Sequence, residues 1–284
     1  MSNLVSNIED LRNHIRCSSD TTDVSEFTFG IDSTIEKYLL PVLGQTILDH
    51  IEDYCLVREE TPDTILEKLR LRILRAFWPF QIAEIAQELA VVVSGMGISV
   101  TRTENVAPVS DEKLAALKTA LYNRGYFELE SLSRFLTANA SHYPEWKVSD
   151  NLLAHFFNYA DELTRFILLT NAPFQFNNLK PAIERIESTV LAEIIGVEVV
   201  QFLQQQLYNV AATLNIRNAI YHCRCIVAYH VAVEELSMQS YHARIEQATN
   251  SLLACLRGNP EDFPGYVPPV EIDNSNLSFF NTIP

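Results

Sequence analysis

Ala90-Val91-Val92-Val93-Ser94, then Gly95-Met96-Gly97, then Ile98-Ser99-Val100-Thr101-Arg102-Thr103 sets two β-branched runs on either side of a glycine-bearing turn. That is the pattern of a β-hairpin, and it predicts a ribbon over residues 90–103. An extended connector, 104–109, comes next. Ser110 then reads as an N-cap, with Asp111 and Glu112 placed favourably in the first helical turn. Lys113-Leu114-Ala115-Ala116-Leu117 opens the longest helical pattern of the chain, 110–139. Outward on both sides lie helical segments that resemble one another, an arrangement better suited to assembly than to catalysis.

On the N-terminal side, Ile8, Leu11 and Ile15 form one apolar stripe on a short helix, and the polar run 18–26 ends it. Ser33 with Glu36 three residues later reads as a capping box. The helix it would start carries Ile35, Leu39, Val42, Leu43, Ile47, Leu48 and Ile51 at helical spacing. Pro41 and Gly44 interrupt it, which predicts either a kink or two short helices. Thr61-Pro62 reads as a second start, with Ile65, Leu69, Ile73, Phe77 and Phe80 along one face and Pro79 expected to bend it.

The C-terminal side repeats this layout. With Gly44 laid on Gly196, Leu39, Val42, Leu43, Ile47, Leu48 and Ile51 fall on Leu191, Ile194, Ile195, Val199, Val200 and Leu203. An apolar helix comes after this in each half, 65–90 and 214–236, and the second half lacks the hairpin. This coincidence predicts an internal duplication. Residues 148–169 read as a further aromatic-rich helix and 141–147 as a hinge. The expected fold is therefore mainly α, with two related helical-bundle lobes (1–140 and 148–257), one hairpin and an extended C-terminal tail (258–284).

That tail carries four prolines between Pro260 and Pro269, too many for a helix or a central strand. Its last residues include Ile272, Leu277, Phe279, Phe280 and Ile283, more apolar than a solvated segment. It is expected either to dock on a neighbour or to pack on its own lobe. Val92, Met96, Ile98 and Val100 of the hairpin, with Phe279 and Phe280 of the tail, are the candidate protein-interaction residues.

Composition narrows the function. Of 284 residues 48% are apolar, enough for a globular chain with two cores. The net charge of −15, with basic residues scattered, disfavours a phosphate-gripping surface and sequence-specific nucleic-acid binding. Five cysteines without framework spacing point to reduced thiols and synthesis in a cytoplasm. No signal-peptide pattern and no apolar run of about 20 residues is present, so a soluble, unprocessed protein with no membrane partner is expected.

Chemistry is hard to find. His222-Cys223-Arg224-Cys225, with His230 nearby, is the one tempting cluster. On a helix Cys223 and Cys225 point about 200° apart and cannot share an ion, so these read as buried thiols and core imidazoles. His14, His50, His142, His155 and His242 read as ordinary polar positions. The Gly-x-Ser-x-Gly, Gly-x-Gly-x-x-Gly and Walker patterns are absent, and the pairs Glu59-Glu60 and Glu234-Glu235 read as solvated faces splayed on a helix. No catalytic residue, cofactor or metal is expected, and no enzymatic activity.

From Gly97-Ile98-Ser99-Val100 through Ser110-Asp111-Glu112-Lys113 to Arg124-Gly125-Tyr126-Phe127-Glu128-Leu129-Glu130, the chain resembles a family of tailed phages and prophages of Bacteroidetes. The paired helical segments around it look like a duplicated version of the helical head-to-tail connector (adaptor) proteins of tailed bacteriophages. The resemblance implies a virion structural protein of the neck. It implies a homo-oligomeric ring, contacts with the portal protein and neighbouring neck or tail proteins, and DNA passing without specific binding. An acidic ring interior would let a phosphate backbone slide. The competing expectation is a cytoplasmic helical scaffold or regulatory binding module.

Overall fold

Helices form where the apolar spacing demands a buried face, and the chain is mainly α-helical. Its structure, a computed structural model, describes residues 4, 8–14, 27–57, 63–89, 91–94, 97–100, 110–143, 146 and 155–268. Two compact units result, Met1–Ala182 and Ile183–Pro284.

The first unit opens with α1 (Ile8–His14), α2 (Ile31–Thr34), a π-helical turn (Ile35–Leu39), α3 (Leu40–Leu43) and α4 (Gln45–Val57). Then come α5 (Thr64–Leu89), strands β1 (Val91–Ser94) and β2 (Gly97–Val100), α6 (Asp111–Ala138), α7 (Ala160–Leu163) and α8 (Ala172–Ile186), inside which the units divide. Ser110 caps α6, its Oγ accepting from the Lys113 N–H at 3.4 Å. Thr61-Pro62 lies outside the described residues; the cap of α5 is Asp63, which accepts from the N–H groups of Ile65 (2.7 Å) and Leu66 (3.1 Å). α5 continues through Pro79 rather than ending there, because Phe77, Trp78 and Phe80 around it are fully buried and packing offsets the lost hydrogen bond.

α5 and α6 run antiparallel, with Arg72 over the Phe135 ring near one end and Phe80 edge-on to Tyr126 near the other. Gly125 sets their spacing. A Cβ there would lie 2.8 Å from the Phe80 ring, and Phe80 cannot retreat because it stacks on Tyr38 at 4.0 Å. Polar ties fix the rest of this core. Arg70, buried in α5, pairs with Asp10 of α1 (3.1 Å) and Glu67 (2.8 Å). Gln81 donates to the carbonyls of Phe27 (2.9 Å) and Phe29 (2.7 Å), and the Trp146 indole donates to the Val42 carbonyl (3.2 Å) beside the break at Gly44. β1 and β2 pair antiparallel, Val91 opposite Val100 and Val93 opposite Ile98.

After the C-terminal end of α8, the second unit has a π-helical turn (Glu187–Leu191), α9 (Ala192–Ile195), α10 (Val197–Gln205), α11 (Leu214–Glu234) and α12 (His242–Gly258). Its π turn falls on the first unit's π turn at the same offset of 152 that aligns Gly196 with Gly44. The glycine backbones agree, φ 74 and ψ 160 against φ 87 and ψ 148, a region open in practice to glycine alone. Burial agrees too. Along 31–55 and 183–207 the class of exposure is the same at every position except 38/190, 50/202 and 54/206. Pro41 corresponds to Glu193, so proline is not what produces the π turn; the break belongs to glycine, and two short helices, not a kink, are the outcome.

Four expectations need correction. Ser33 does not cap: the helix starts at Ile31 behind Gly30 (φ 69), because Gln81 holds the preceding carbonyls and fixes the start earlier. The 148–169 helix is not found over its described part, 155–169, where only α7 is helical; Leu163 is buried from α7, and Phe156, Phe157 and Ile167 are buried from an irregular backbone. Buried apolar runs carry helical spacing whether or not they are helical. The unit boundary is at 182/183, not near 140–148, because 155–182 packs on α6: Phe174 stacks on Tyr122 at 5.6 Å. Finally, the tail does not leave the body at Gly258. Pro260–Asp262 forms a 3-10 turn, Phe263 is buried, and the Asn215 amide donates to Asn259 (2.9 Å) and Asp262 (2.7 Å).

Candidate functional site

Within the first unit, α6, the irregular segment 155–171 and the start of α8 line a half-open cavity of about 470 Å3. Leu129, Leu132, Ser133 and Leu136 form the buried stripe of α6, and Glu130 stands at its edge, turned under the segment that covers it. Its carboxylate accepts from the Ala160 N–H at 2.9 Å, the first residue of α7. The turn before α7 is held by Glu162, which accepts from the N–H groups of Asn158 (2.8 Å) and Tyr159 (3.3 Å). One helical turn beyond Glu130, Arg134 pairs with Asp161 and lies over the Tyr159 ring at 4.1 Å. Arg165 approaches the same carboxylate at 3.8 Å. A second, far smaller space that Glu130 also lines, about 30 Å3, is bordered by Tyr126, Ser133, Phe176 and Lys180.

Burial pushes the Glu130 carboxyl up to about 7, against the pull of the Ala160 N–H and the Arg134 charge, with Asp161 adding to the rise. A carboxyl poised there can donate or accept a hydrogen bond near neutral pH, and it faces an apolar wall of Phe127, Ala160, Ala172 and Pro173 with Ser131 and Thr164 beside it. No sequence signal singled it out, since Phe127-Glu128-Leu129-Glu130 reads as an ordinary helix edge. A second cluster joins Lys37 (2.7 Å), Tyr38 and Tyr122 (3.3 Å) on Glu84. Despite burial, those hydrogen bonds hold the Glu84 carboxyl below its usual range.

Of the candidate interaction residues, Val92, Ile98 and Val100 lie in the paired strands, and Met96, Phe279 and Phe280 lie outside the described residues. Cys223 and Cys225 are buried on α11, burial raises both thiols, and His222 is half-buried with its imidazole pushed down by the same cause. Among the described residues no group of three His, Cys, Asp or Glu side chains could hold a metal, and no helix is long and apolar enough to cross a membrane. Glu234 and Glu235 are both exposed, as expected of a solvated face, but instead of splaying apart they converge on Arg185, at 2.7 and 3.4 Å, where α11 ends and the chain turns. His14, expected as an ordinary polar position, is buried, and its imidazole is held down by that burial and by Arg75.

Against known proteins, a model described as a family of unknown function (DUF6712) matches residues 24–154, a little under half of the chain. No curated protein and no solved structure matches.

Proposed function

We propose that this chain is a structural subunit of the tailed-bacteriophage neck. In this reading it is a head-to-tail connector that builds a homo-oligomeric ring under the portal protein and lets DNA pass without sequence-specific contact. The two units are then related lobes, copies of one helical element. What carries the reading is the repeated break itself: π turn, glycine and buried pattern recur at one offset although Pro41, Ile35 and Tyr38 are replaced by Glu193, Glu187 and Val190. A geometry kept while its residues change supports a duplicated building block, the form a tandem version of a small connector would take. The acidic balance is consistent with a DNA-passing ring, and the strand pair at 91–100 is the element proposed to contact a neighbouring subunit, since two strands alone are marginal in water.

Electron micrographs of the concentrated protein, alone and with a portal, test this. Closed rings are the expected result, and a particle that stays monomeric at every concentration and ignores the portal would refute it. Replacing 92–100 by a tight turn should impair ring formation while leaving helical circular dichroism intact. The cavity of about 470 Å3 favours a second reading, a helical scaffold or regulatory binding module, which predicts a small particle that takes up a ligand without closing a ring.

A further inference from the structure

We propose that the cavity beside Glu130 in one copy of this chain receives the aromatic pair Phe279-Phe280 from the C-terminal segment of a second copy. The inference rests on the self-assembly proposed above and names the receptor site for it.

Size comes first. A cavity of about 150 Å3 suffices to take up one benzene ring in a protein interior. At about 470 Å3, the space between α6 and the segment after it has room for two phenyl rings and part of the backbone carrying them. Chemistry agrees with size. Phe127, Ala160, Ala172 and Pro173 supply apolar wall, and Ser131 and Thr164 offer hydroxyls to an incoming peptide backbone. Phe127, 59% exposed, is an aromatic side chain left at the rim, where a ring from a partner would cover it.

Charge leaves the apolar anchors to select the occupant. Arg134 is the cation that lines the cavity, paired with Asp161, while Arg165 approaches the same carboxylate and Lys180 lines the smaller space. Residues 269–284 contain Glu271 and Asp273 and neither lysine nor arginine. An aromatic segment therefore meets an apolar wall, with the paired Arg134 and Asp161 at its edge. Geometry supplies the reach. The chain is anchored as far as Phe263, whereas Val267 is 81% exposed and Pro268 is also exposed, so by that point the backbone has reached the surface of its own unit. The residues from 269 to 284 can span up to roughly 50 Å at about 3.3 Å each, so chain length does not confine Phe279 and Phe280 to the surface beside Pro268.

Cysteine pairing in the full chain tests the proposal. One chain carries Ser131→Cys at the cavity, another Ser278→Cys beside the aromatic pair, and the unsubstituted chain controls for the native thiols. Mild oxidation of the mixture should give a covalent dimer. Adding Phe279→Ala and Phe280→Ala to the second chain should abolish it and weaken self-association roughly 100-fold or more, as expected for two aromatic anchors. Tryptophan fluorescence verifies that each variant is folded. Absence of the cross-link overturns the proposal. So does a chain bearing both cysteines that closes only on itself at dilution, which would place the segment on its own copy. Rings in micrographs without the cross-link would sink the docking site while leaving the connector reading intact; sedimentation as a monomer throughout would remove both.

Discussion

Replacing Glu130 by glutamine isolates the cost of keeping a carboxylate in the cavity. Its carboxyl is raised from an ordinary value near 4.5 to about 7 in the folded chain. The unfolded chain therefore releases this proton first as pH rises, so between about 4.5 and 7 the folded state holds more protons and loses stability with pH; above 7 the loss is complete. At about 1.4 kcal/mol per pH unit, the difference of about 2.5 sets a ceiling of about 3.5 kcal/mol, and partial solvent screening brings the expected effect to about 2 kcal/mol. Glutamine keeps an oxygen for the Ala160 N–H, preserves the shape and removes the titration. Urea denaturation from pH 4 to 8 is the assay. Trp78 and Trp146, the only two tryptophans of the sequence, both lie in the first unit, so their fluorescence reports the right core. Glu130→Gln should match the parent chain below about pH 4.5 and exceed it by about 2 kcal/mol above about pH 7. His14 and Glu84, whose values also shift, cancel in the difference. Parallel stability curves at all pH values would refute the argument.

Gly125→Ala should destabilise the first unit by about 1–2 kcal/mol despite the better helix propensity of alanine, because the new methyl meets Phe80, which Tyr38 holds in place; a gain in the urea midpoint would contradict this. Gly44→Ala and Gly196→Ala should each cost about 1–3 kcal/mol, and by similar amounts, since both glycines have the same strained backbone; calorimetry compares them. Asp10→Ala should cost about 3–5 kcal/mol by leaving a buried guanidinium with Glu67 as its remaining carboxylate partner, whereas Asp161→Ala at the exposed Arg134 should cost about 1 kcal/mol or less.

What the sequence determined by itself is what depends on near neighbours in the chain. Helical content comes from apolar spacing, the start of α6 from Ser110 and the acidic residues after it, and the alignment of Gly44 with Gly196 from positions a few turns apart. These interactions are local, so a one-dimensional pattern records them. Tertiary structure alone decided the rest. The π turns carry no compositional mark, because Ile35-Glu36-Lys37-Tyr38-Leu39 and Glu187-Ser188-Thr189-Val190-Leu191 share only a final leucine yet adopt one geometry, with burial that differs only at 38/190. Ser33 satisfied the local rule for a cap and was overruled by Gln81, 48 positions away in the chain, which grips the carbonyls ahead of it. Residues 259–263 fold back because Asn215 and a pocket for Phe263 are waiting on their own unit, a fact no proline count contains. Glu130 became a candidate site only when residues 155–171 closed over α6. Burial is what raises its carboxyl, and burial is supplied by a segment thirty residues downstream.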